Sequence, residues 1–316
     1  MLTDSSTLRE LAGRPQAQSH IPAAVTDVGC EREINEDRYA VIDSPQGRAW
    51  IVCDGMGGVM GGELAAQLAI DAMRRVLETS DSATPAETIK SAIEEANRVI
   101  VLRRQNPAFS SMGTTVIAAM QMLDEIVIAH AGDSRAYVVR GQEIEQLTVD
   151  HTYVQDLVDK GAIKPEDALS HPQAHVLTRC LGSEPRLNLT LQQYYLWEAA
   201  QPDVLVLCSD GLYSLVSDKE ISQVVTSRSP QDACVDLVEL AKSRGGFDNI
   251  TVVILPLEGQ LREEASPNRP TIERKQHLLF EDELDLPPVP LWKRLLIITL
   301  LMCFGCAGTL LFMFLT

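Results

Sequence analysis

The chain has 316 residues, of which 45% are hydrophobic, so it can build one large folded domain or two ordinary ones. Its 44 acidic residues outnumber 27 lysines and arginines, and the formal net charge is −17. A chain this acidic has no basic surface to neutralise nucleic-acid phosphates, so we expect no nucleic-acid partner. The seven cysteines follow no disulfide spacing, which predicts free thiols and a cytoplasmic location for the folded part.

Two segments come first along the chain. Residues 1–20 are polar, lack a sustained apolar period, and are predicted to form a flexible N-terminal arm. Residues 21–257 alternate strand-like apolar runs with amphipathic helical patterns and are predicted to form one domain. The first helix is predicted over residues 63–78, and the second begins at a capping sequence that contains Thr84 and Pro85. Clustered strands with paired helices between them indicate an α+β domain rather than a doubly wound parallel sheet.

The second half of this domain is richer in short strands. Strands are predicted over residues 125–130 and 135–140, with a hairpin turn at Gly141. A short helix over residues 153–160 is followed by a polar, turn-rich stretch, residues 163–175. We expect this stretch to form a mobile loop over a functional site.

The composition of the remaining chain changes at residue 258 and again at residue 291. Residues 258–290 contain five prolines among many charges and are predicted to form a flexible, acidic linker. Residues 291–316 are predicted to form a transmembrane anchor, because the 22 residues from 295 onward would make about 33 Å of apolar helix. A buried core helix is the alternative. Lys293 and Arg294 precede the span, and the positive-inside bias then keeps the folded domain on the cytoplasmic face of the cell membrane.

Carboxylates occur where three apolar runs begin or end. Asp54 directly follows residues 50–53, and Asp210 follows the run that starts at Val204. Asp248 comes just before a third run. Acids at strand ends, with no cluster of His or Cys beside them, favour hard cations such as Mg²⁺ or Mn²⁺. Taken singly, each Asp is more often a turn or helix-cap residue than a metal ligand.

Six motifs in this chain resemble the successive signature motifs of the type 2C, metal-dependent protein serine/threonine phosphatases. They run in the family's order across residues 21–257, and the match is closest to the compact bacterial members. The resemblance implies an antiparallel β-sandwich flanked by helices on both faces, with metals between the sheets at one end. The motifs comprise Asp27, Gly29 and Arg32 with residues 35–38, then residues 54–58, 111–115, 131–135, 208–212 and 246–251.

The resemblance also implies a site with two Mg²⁺ or Mn²⁺ ions. Asp54 would bridge both ions, and Glu36 would hold metal-bound waters. Asp133 would join Asp210 around a third, weaker ion. Two metal ions about 4 Å apart can activate a water molecule and neutralise a transferring phosphoryl group. The residues that the resemblance assigns to the ion pair are Asp37, Asp54, Gly55 (through its carbonyl), Asp210 and Asp248.

Arg32 matches a position that binds phosphate through its guanidinium fork, although a salt bridge with Glu31 or Glu33 is the local alternative. Met56 stands where some family members carry a His thought to protonate the leaving oxygen. A thioether cannot donate a proton, so this route is closed here.

Three other histidines, at positions 151, 171 and 175, could act as acids. Capping or loop roles are favoured for all three.

The sequence therefore predicts a membrane-anchored, Mg²⁺- or Mn²⁺-dependent phosphatase that removes phosphate from serine and threonine on proteins. The expected partners are phosphorylated proteins, including a serine/threonine kinase or its substrates. The alternative from another class is a catalytically silent, membrane-tethered module that binds phosphoproteins. A metal-dependent nuclease is disfavoured by the acidic balance.

Overall fold

The computed structural model describes residues 21–57, 61–198 and 201–263. Helices over these ranges are α1 (Gly61–Thr79), α2 (Pro85–Arg103), α3 (Tyr153–Asp159), α4 (Asp210–Tyr213), α5 (Asp218–Ser227) and α6 (Pro230–Ser243). Single 3₁₀ turns lie at Pro107–Phe109 and Pro165–Asp167. The strands are β1 (Ala23–Asp27), β2 (Arg38–Ser44), β3 (Gly47–Cys53), β4 (Gly55–Met56), β5 (Gly113–Thr114), β6 (Val116–Met122), β7 (Glu125–Ala131), β8 (Arg135–Arg140), β9 (Glu143–Gln146), β10 (Thr190–Trp197), β11 (Val204–Cys208), β12 (Ile250–Pro256) and β13 (Gln260–Glu263).

Two antiparallel sheets carry the fold. One has the strand order β1-β12-β11-β8-β9, and the other has the order β13-β10-β7-β6-β3-β2. The short strands β4 and β5 pair separately, just beyond the end of β3. The hairpin predicted at Gly141 is confirmed, because β8 and β9 pair with Arg140 opposite Glu143.

The sheets are apolar on both faces, and each face packs into a different core. Along β11, Leu205 and Leu207 lie between the two sheets, whereas Val206 and Cys208 pack on the outer side beneath α4, α5 and α6. Strand β7 divides in the same way, and its outer residues pack beneath α1 and α2. Alternating side chains point to opposite faces of a strand, so two covered faces require continuous apolar runs. The described part of the chain is an antiparallel sandwich flanked by helices.

Helix boundaries follow local chemistry. Thr84 caps α2 by accepting a hydrogen bond from the backbone N–H of Glu87, with Pro85 as the first helical residue. Helix α3 covers the predicted short helix, and Gly161 after it has the positive φ of +68° that commonly ends helices. These predictions are confirmed.

The predicted domain boundary at residue 257 is wrong. Strand β13 lies inside the predicted linker and pairs with β10, so the folded domain reaches at least Glu263. Leu261 is buried in the core between the sheets. Its backbone N–H donates to the buried carboxylate of Asp203, and its carbonyl accepts from Arg140. Proline and charge dominate the composition after residue 257, and they obscured a four-residue edge strand.

The predicted N-terminal arm, the linker beyond Glu263 and the predicted anchor over residues 291–316 lie outside the described residues. Among the helices at residues 21–263 that the structure describes, none is long and apolar enough to cross a membrane.

The role of β13 can be tested with two truncated chains, one ending at Glu263 and one ending at Leu257. The shorter chain should unfold at a lower denaturant concentration, because burial of Leu261 alone contributes about 2 kcal/mol. In the longer chain, Leu261→Ala should lower the free energy of unfolding by about 2–4 kcal/mol. Urea unfolding followed by circular dichroism measures both effects.

The matched control is Gln260→Ala, in the same strand, which should change the free energy of unfolding by less than about 0.5 kcal/mol. Equal stability of the two truncated chains would show that β13 does not stabilise the domain, and the boundary at residue 257 would then be correct.

Candidate metal centre

The antiparallel register brings the predicted site residues to one end of the sandwich. In one sheet, Arg38 at the start of β2 pairs with Cys53 at the end of β3. In the other sheet, Cys208 at the end of β11 pairs with Val252 near the start of β12. The residues beyond these ends therefore meet. They include all eight predicted site residues: Arg32, Glu36, Asp37, Asp54, Gly55, Asp133, Asp210 and Asp248.

Asp37 is buried and held by two hydroxyls. Its Oδ2 atom accepts hydrogen bonds of 2.7 Å from Ser209 Oγ and 2.7 Å from Thr251 Oγ1. Its Oδ1 atom is also buried and has no hydrogen-bond partner among the described residues. One carboxylate oxygen is thus oriented by the protein while the other is free to bind a ligand.

A side-chain amide holds the loop that carries Glu36 and Asp37. Asn249 Nδ2 donates to the carbonyls of Val28 and Ile34, at 2.9 and 3.0 Å. Its Oδ1 atom accepts a 2.7 Å hydrogen bond from the backbone N–H of Glu36. This amide therefore ties residues 28–36 to the start of β12, next to Asp248.

Asp54 is positioned through its backbone. Its N–H donates to Thr115 Oγ1 at 3.0 Å, and its carbonyl accepts from the Thr114 hydroxyl and the Thr115 N–H, each at 2.8 Å. The next residue, Gly55, has no space for a side chain, because a Cβ atom there would lie 2.2 Å from the carbonyl oxygen of Gly62. This close contact requires glycine directly after the acid.

Burial and mutual repulsion disfavour ionisation of these acids. Burial, followed by the charges of Asp37 and Asp210, holds the pKa of Asp54 well above its usual range. Burial raises the pKa of Asp37 to about 7, although its two hydroxyl partners favour the ionised form. Burial and the charge of Asp210 raise the pKa of Asp133 to about 8. They also raise the pKa of Asp248.

The donor set fits hard divalent cations. Asp210, like Asp37, has a buried Oδ1 atom with no hydrogen-bond partner among the described residues. Five aspartates converge, and carboxylate oxygens are the ligands that Mg²⁺ and Mn²⁺ prefer. A bound cation would satisfy the free oxygens and offset the repulsion that raises the pKa values.

Arg32 lies at the rim of this cluster. Its Nη2 atom is 2.8 Å from Asp248 Oδ2, and its Nη1 atom is 4.0 Å from Glu36 Oε2. The ion pairs of Arg32 thus go to the site acids, and the predicted alternative with Glu31 or Glu33 is wrong. Its side chain is 47% exposed, so the guanidinium faces both the acids and the solvent.

One histidine belongs to the site, contrary to the loop role favoured from sequence. His175 Nδ1 lies 3.0 Å from Asp210 Oδ2. That hydrogen bond raises the pKa of His175, against the effect of burial. The other two are structural as expected, since His151 stacks on His130 and His171 accepts a hydrogen bond within its own turn.

Sequence reasoning also missed the roles of Ser209 and Thr251. Ser209 directly follows β11, and Thr251 is the second residue of β12. Both are buried, where a hydroxyl needs a partner, and each finds it in Asp37. A hydroxyl residue next to an acid at a strand end was the available signal. The partner could not be read from the sequence, because 172 and 214 positions separate these residues from Asp37.

Comparison with known proteins agrees with this geometry. The Protein phosphatase 2C family profile matches residues 31–238. The serine/threonine phosphatase Stp of Listeria monocytogenes is 34% identical over 237 residues, which cover 73% of this chain and 93% of that protein. The crystal structure of the Mycobacterium tuberculosis serine/threonine phosphatase PstP/Ppp matches with a TM-score of 0.67 and 36% identity, covering 75% of this chain and 98% of that one.

A further solved structure is that of the PstP catalytic domain in complex with two manganese ions. It matches with a TM-score of 0.64 and 34% identity, covering 75% of this chain and 98% of that chain. The chain belongs to the protein phosphatase 2C family. It is a protein serine/threonine phosphatase, and the relatives named above are bacterial.

The raised pKa values of the buried acids should make the stability of the metal-free protein depend on pH. The pKa of Asp37 rises from about 4 in the unfolded chain to about 7 in the folded one, so the folded state binds more protons in this window. The free energy of unfolding should therefore fall by a few kcal/mol as the pH rises through it. Urea unfolding with chelator present, between pH 4 and pH 8, measures this.

Asp37→Asn should make this dependence shallower, because one of the buried acids no longer titrates. Asp81→Asn, at an exposed acid far from the cluster along the chain, is the control and should leave the slope unchanged. A stability that stays level across this range, or an unchanged slope in Asp37→Asn, would contradict the assigned electrostatics.

Proposed function

We propose that this protein is a membrane-anchored phosphatase that uses Mg²⁺ or Mn²⁺ to hydrolyse phosphoserine and phosphothreonine on other proteins. The observation that supports it best is the convergence of five aspartates, two of which have buried oxygen atoms without a partner among the described residues. A catalytically silent binding module has no use for such a cluster, because buried acids that repel one another destabilise the fold.

The proposed ligands of an ion pair are Asp37, Asp54, Asp210 and Asp248, with the carbonyl of Gly55. When bound, such ions supply a nucleophile derived from water and neutralise charge on the phosphoryl group. Asp133, together with Asp210, would hold a third ion. Glu36 would orient water at the site, since its backbone is fixed by Asn249.

Arg32 is the proposed phosphate-binding residue. Its guanidinium is pre-positioned by Asp248 and remains half-exposed, so it can present donors to a phosphate that enters from solvent. Met56 lies in β4 beside Gly113 and has no proton to give. The leaving serine or threonine oxygen must take its proton from another group.

Membrane anchoring rests on the sequence of residues 291–316, which lie outside the described residues. The proposed arrangement places the catalytic domain in the cytoplasm, tethered near phosphorylated proteins of the same membrane, including a serine/threonine kinase or its substrates. Tethering raises the effective concentration of such partners without adding a contact.

The anchor is tested by comparing the full chain with the chain ending at Glu263. The full chain should sediment with membranes and require detergent for release, whereas the shorter chain should stay in the supernatant. Both should hydrolyse a small aryl phosphate equally, because the described domain contains the whole site. Loss of this activity on truncation would show that the tail contributes to the fold.

The catalytic assignment is tested by Asp54→Asn and Asp210→Asn. Either change should reduce turnover of a small aryl phosphate with Mn²⁺ by at least about 10³-fold, because the ion pair loses a charged ligand. Chelator should abolish the activity of the parent protein. Circular dichroism should show that both variants remain folded. Near-normal turnover in either variant would remove that residue from the metal site.

The same assay separates the proposed role of Arg32 from a structural ion pair. Arg32→Ala should raise KM for the phosphoester more than it lowers kcat, because the lost contact is made to bound substrate as well as to the transition state. Arg32→Lys should restore little, since a point charge cannot reproduce two parallel hydrogen bonds. Arg48→Ala, at an exposed ion pair with Asp43, is the control. Unaltered KM in Arg32→Ala would leave Arg32 as a structural residue.

A further inference from the structure

Three potential metal ligands, two carboxylates and one imidazole, meet on one side of the site. Asp133 follows β7, Asp210 begins α4, and His175 comes from the segment between α3 and β10. One ligand atom from each residue lies within 4.8 Å of the others. His175 Nδ1 and Asp210 Oδ2 are 3.0 Å apart.

The main chain holds His175 in this place. The residue before it, Ala174, is buried, and its N–H donates to the carbonyl of His171 at 2.9 Å. The carbonyl of the residue after it, Val176, accepts a 2.8 Å hydrogen bond from the first residue of α3, Tyr153. Backbone hydrogen bonds on both sides of His175 therefore define the position from which its imidazole reaches the acids.

A single His–Asp hydrogen bond does not satisfy this group of atoms. Nδ1 of His175 can contact Oδ2 of Asp210, but Oδ1 of the same carboxylate is buried and has no partner among the described residues. Asp133 is only 4% exposed and brings a second carboxylate to the same place. A divalent cation coordinated by all three side chains would satisfy them together.

The nitrogen distinguishes this place from the rest of the cluster. Asp37, Asp54 and Asp248 offer only oxygen, which suits Mg²⁺ and Mn²⁺ alike. Imidazole is a good ligand for first-row transition metals, whereas Mg²⁺ takes carboxylates and waters. A site with one imidazole and two carboxylates therefore discriminates between the ions.

We propose that His175 is a nitrogen ligand to an ion shared with Asp133 and Asp210, and that it makes this position select a transition metal such as Mn²⁺ over Mg²⁺. The proposal rests on the proposed metal-dependent function. Beyond that function, it assigns to His175 the choice of metal at the position shared with Asp133 and Asp210. It also links residues 163–175 to that metal.

The test is electron spin-echo envelope modulation of bound Mn²⁺, which detects ¹⁴N nuclei coordinated to the ion. The sample is the full chain without a histidine tag, loaded with Mn²⁺ and freed of excess metal. The parent protein should show ¹⁴N modulation, and His175→Ala should lose it. The control is His171→Asn, which removes an imidazole from the same segment but keeps an acceptor for its turn, and it should retain the signal.

Competition with Mg²⁺ gives a second measurement. In the parent protein, excess Mg²⁺ should displace Mn²⁺ from the all-oxygen positions first, so the remaining Mn²⁺ is enriched in ¹⁴N modulation. In His175→Ala the preference of this position for Mn²⁺ over Mg²⁺ should fall by at least about 10-fold, since losing even an outer-shell partner of a metal ligand costs about 10–100-fold in affinity.

The outcomes separate this proposal from the proposed function. Absence of ¹⁴N modulation in a parent protein that binds Mn²⁺ and hydrolyses phosphoesters would overturn the role of His175 alone. Modulation that persists in His175→Ala would do the same, because another nitrogen would be responsible. A parent protein that binds no Mn²⁺ would instead refute the metal-dependent function.

Discussion

The fold brings mutually repelling carboxylates together in a buried site, and the rest of the structure must offset the cost of doing so. Burial and neighbouring acids raise the pKa of Asp54 well above its usual range, and Asp133 and Asp248 shift in the same direction. Ionised acids so placed cost folding free energy, and the three apolar cores must offset that cost. Because a bound cation would offset the repulsion, metal binding would be coupled to the stability of this end of the sandwich.

The antiparallel sandwich suits this purpose. Adjacent strands run in opposite directions. The end of β3 and the start of β2 therefore lie at the same end of their sheet, as do the end of β11 and the start of β12 in the other sheet. The central strands of both sheets, such as β6 and β11, are almost wholly apolar, and the site acids lie where strands begin or end. Hydroxyls and amides then orient the acids from behind, as Ser209 and Asn249 do, while the ligand-facing oxygens stay free.

The overall charge is consistent with the same chemistry. A chain with a formal net charge of −17 attracts divalent cations and repels phosphorylated substrates. Bound metal, together with the guanidinium of Arg32 at the rim, would reverse the sign of the local field at the site. Arg32 lies between Asp248 and solvent, where its guanidinium offsets part of the negative charge of the acids.

The sequence by itself determined the features that depend on neighbours along the chain. The strand-end acids, the cap at Thr84 and the hairpin at Gly141 could all be predicted because their signals lie within a few residues. Only the tertiary structure decided that Leu261 pairs with β10 and donates its N–H to Asp203, that two hydroxyls far along the chain hold Asp37, and that His175 reaches Asp210. These contacts join distant segments, and their energies depend on burial and register, which no local pattern contains.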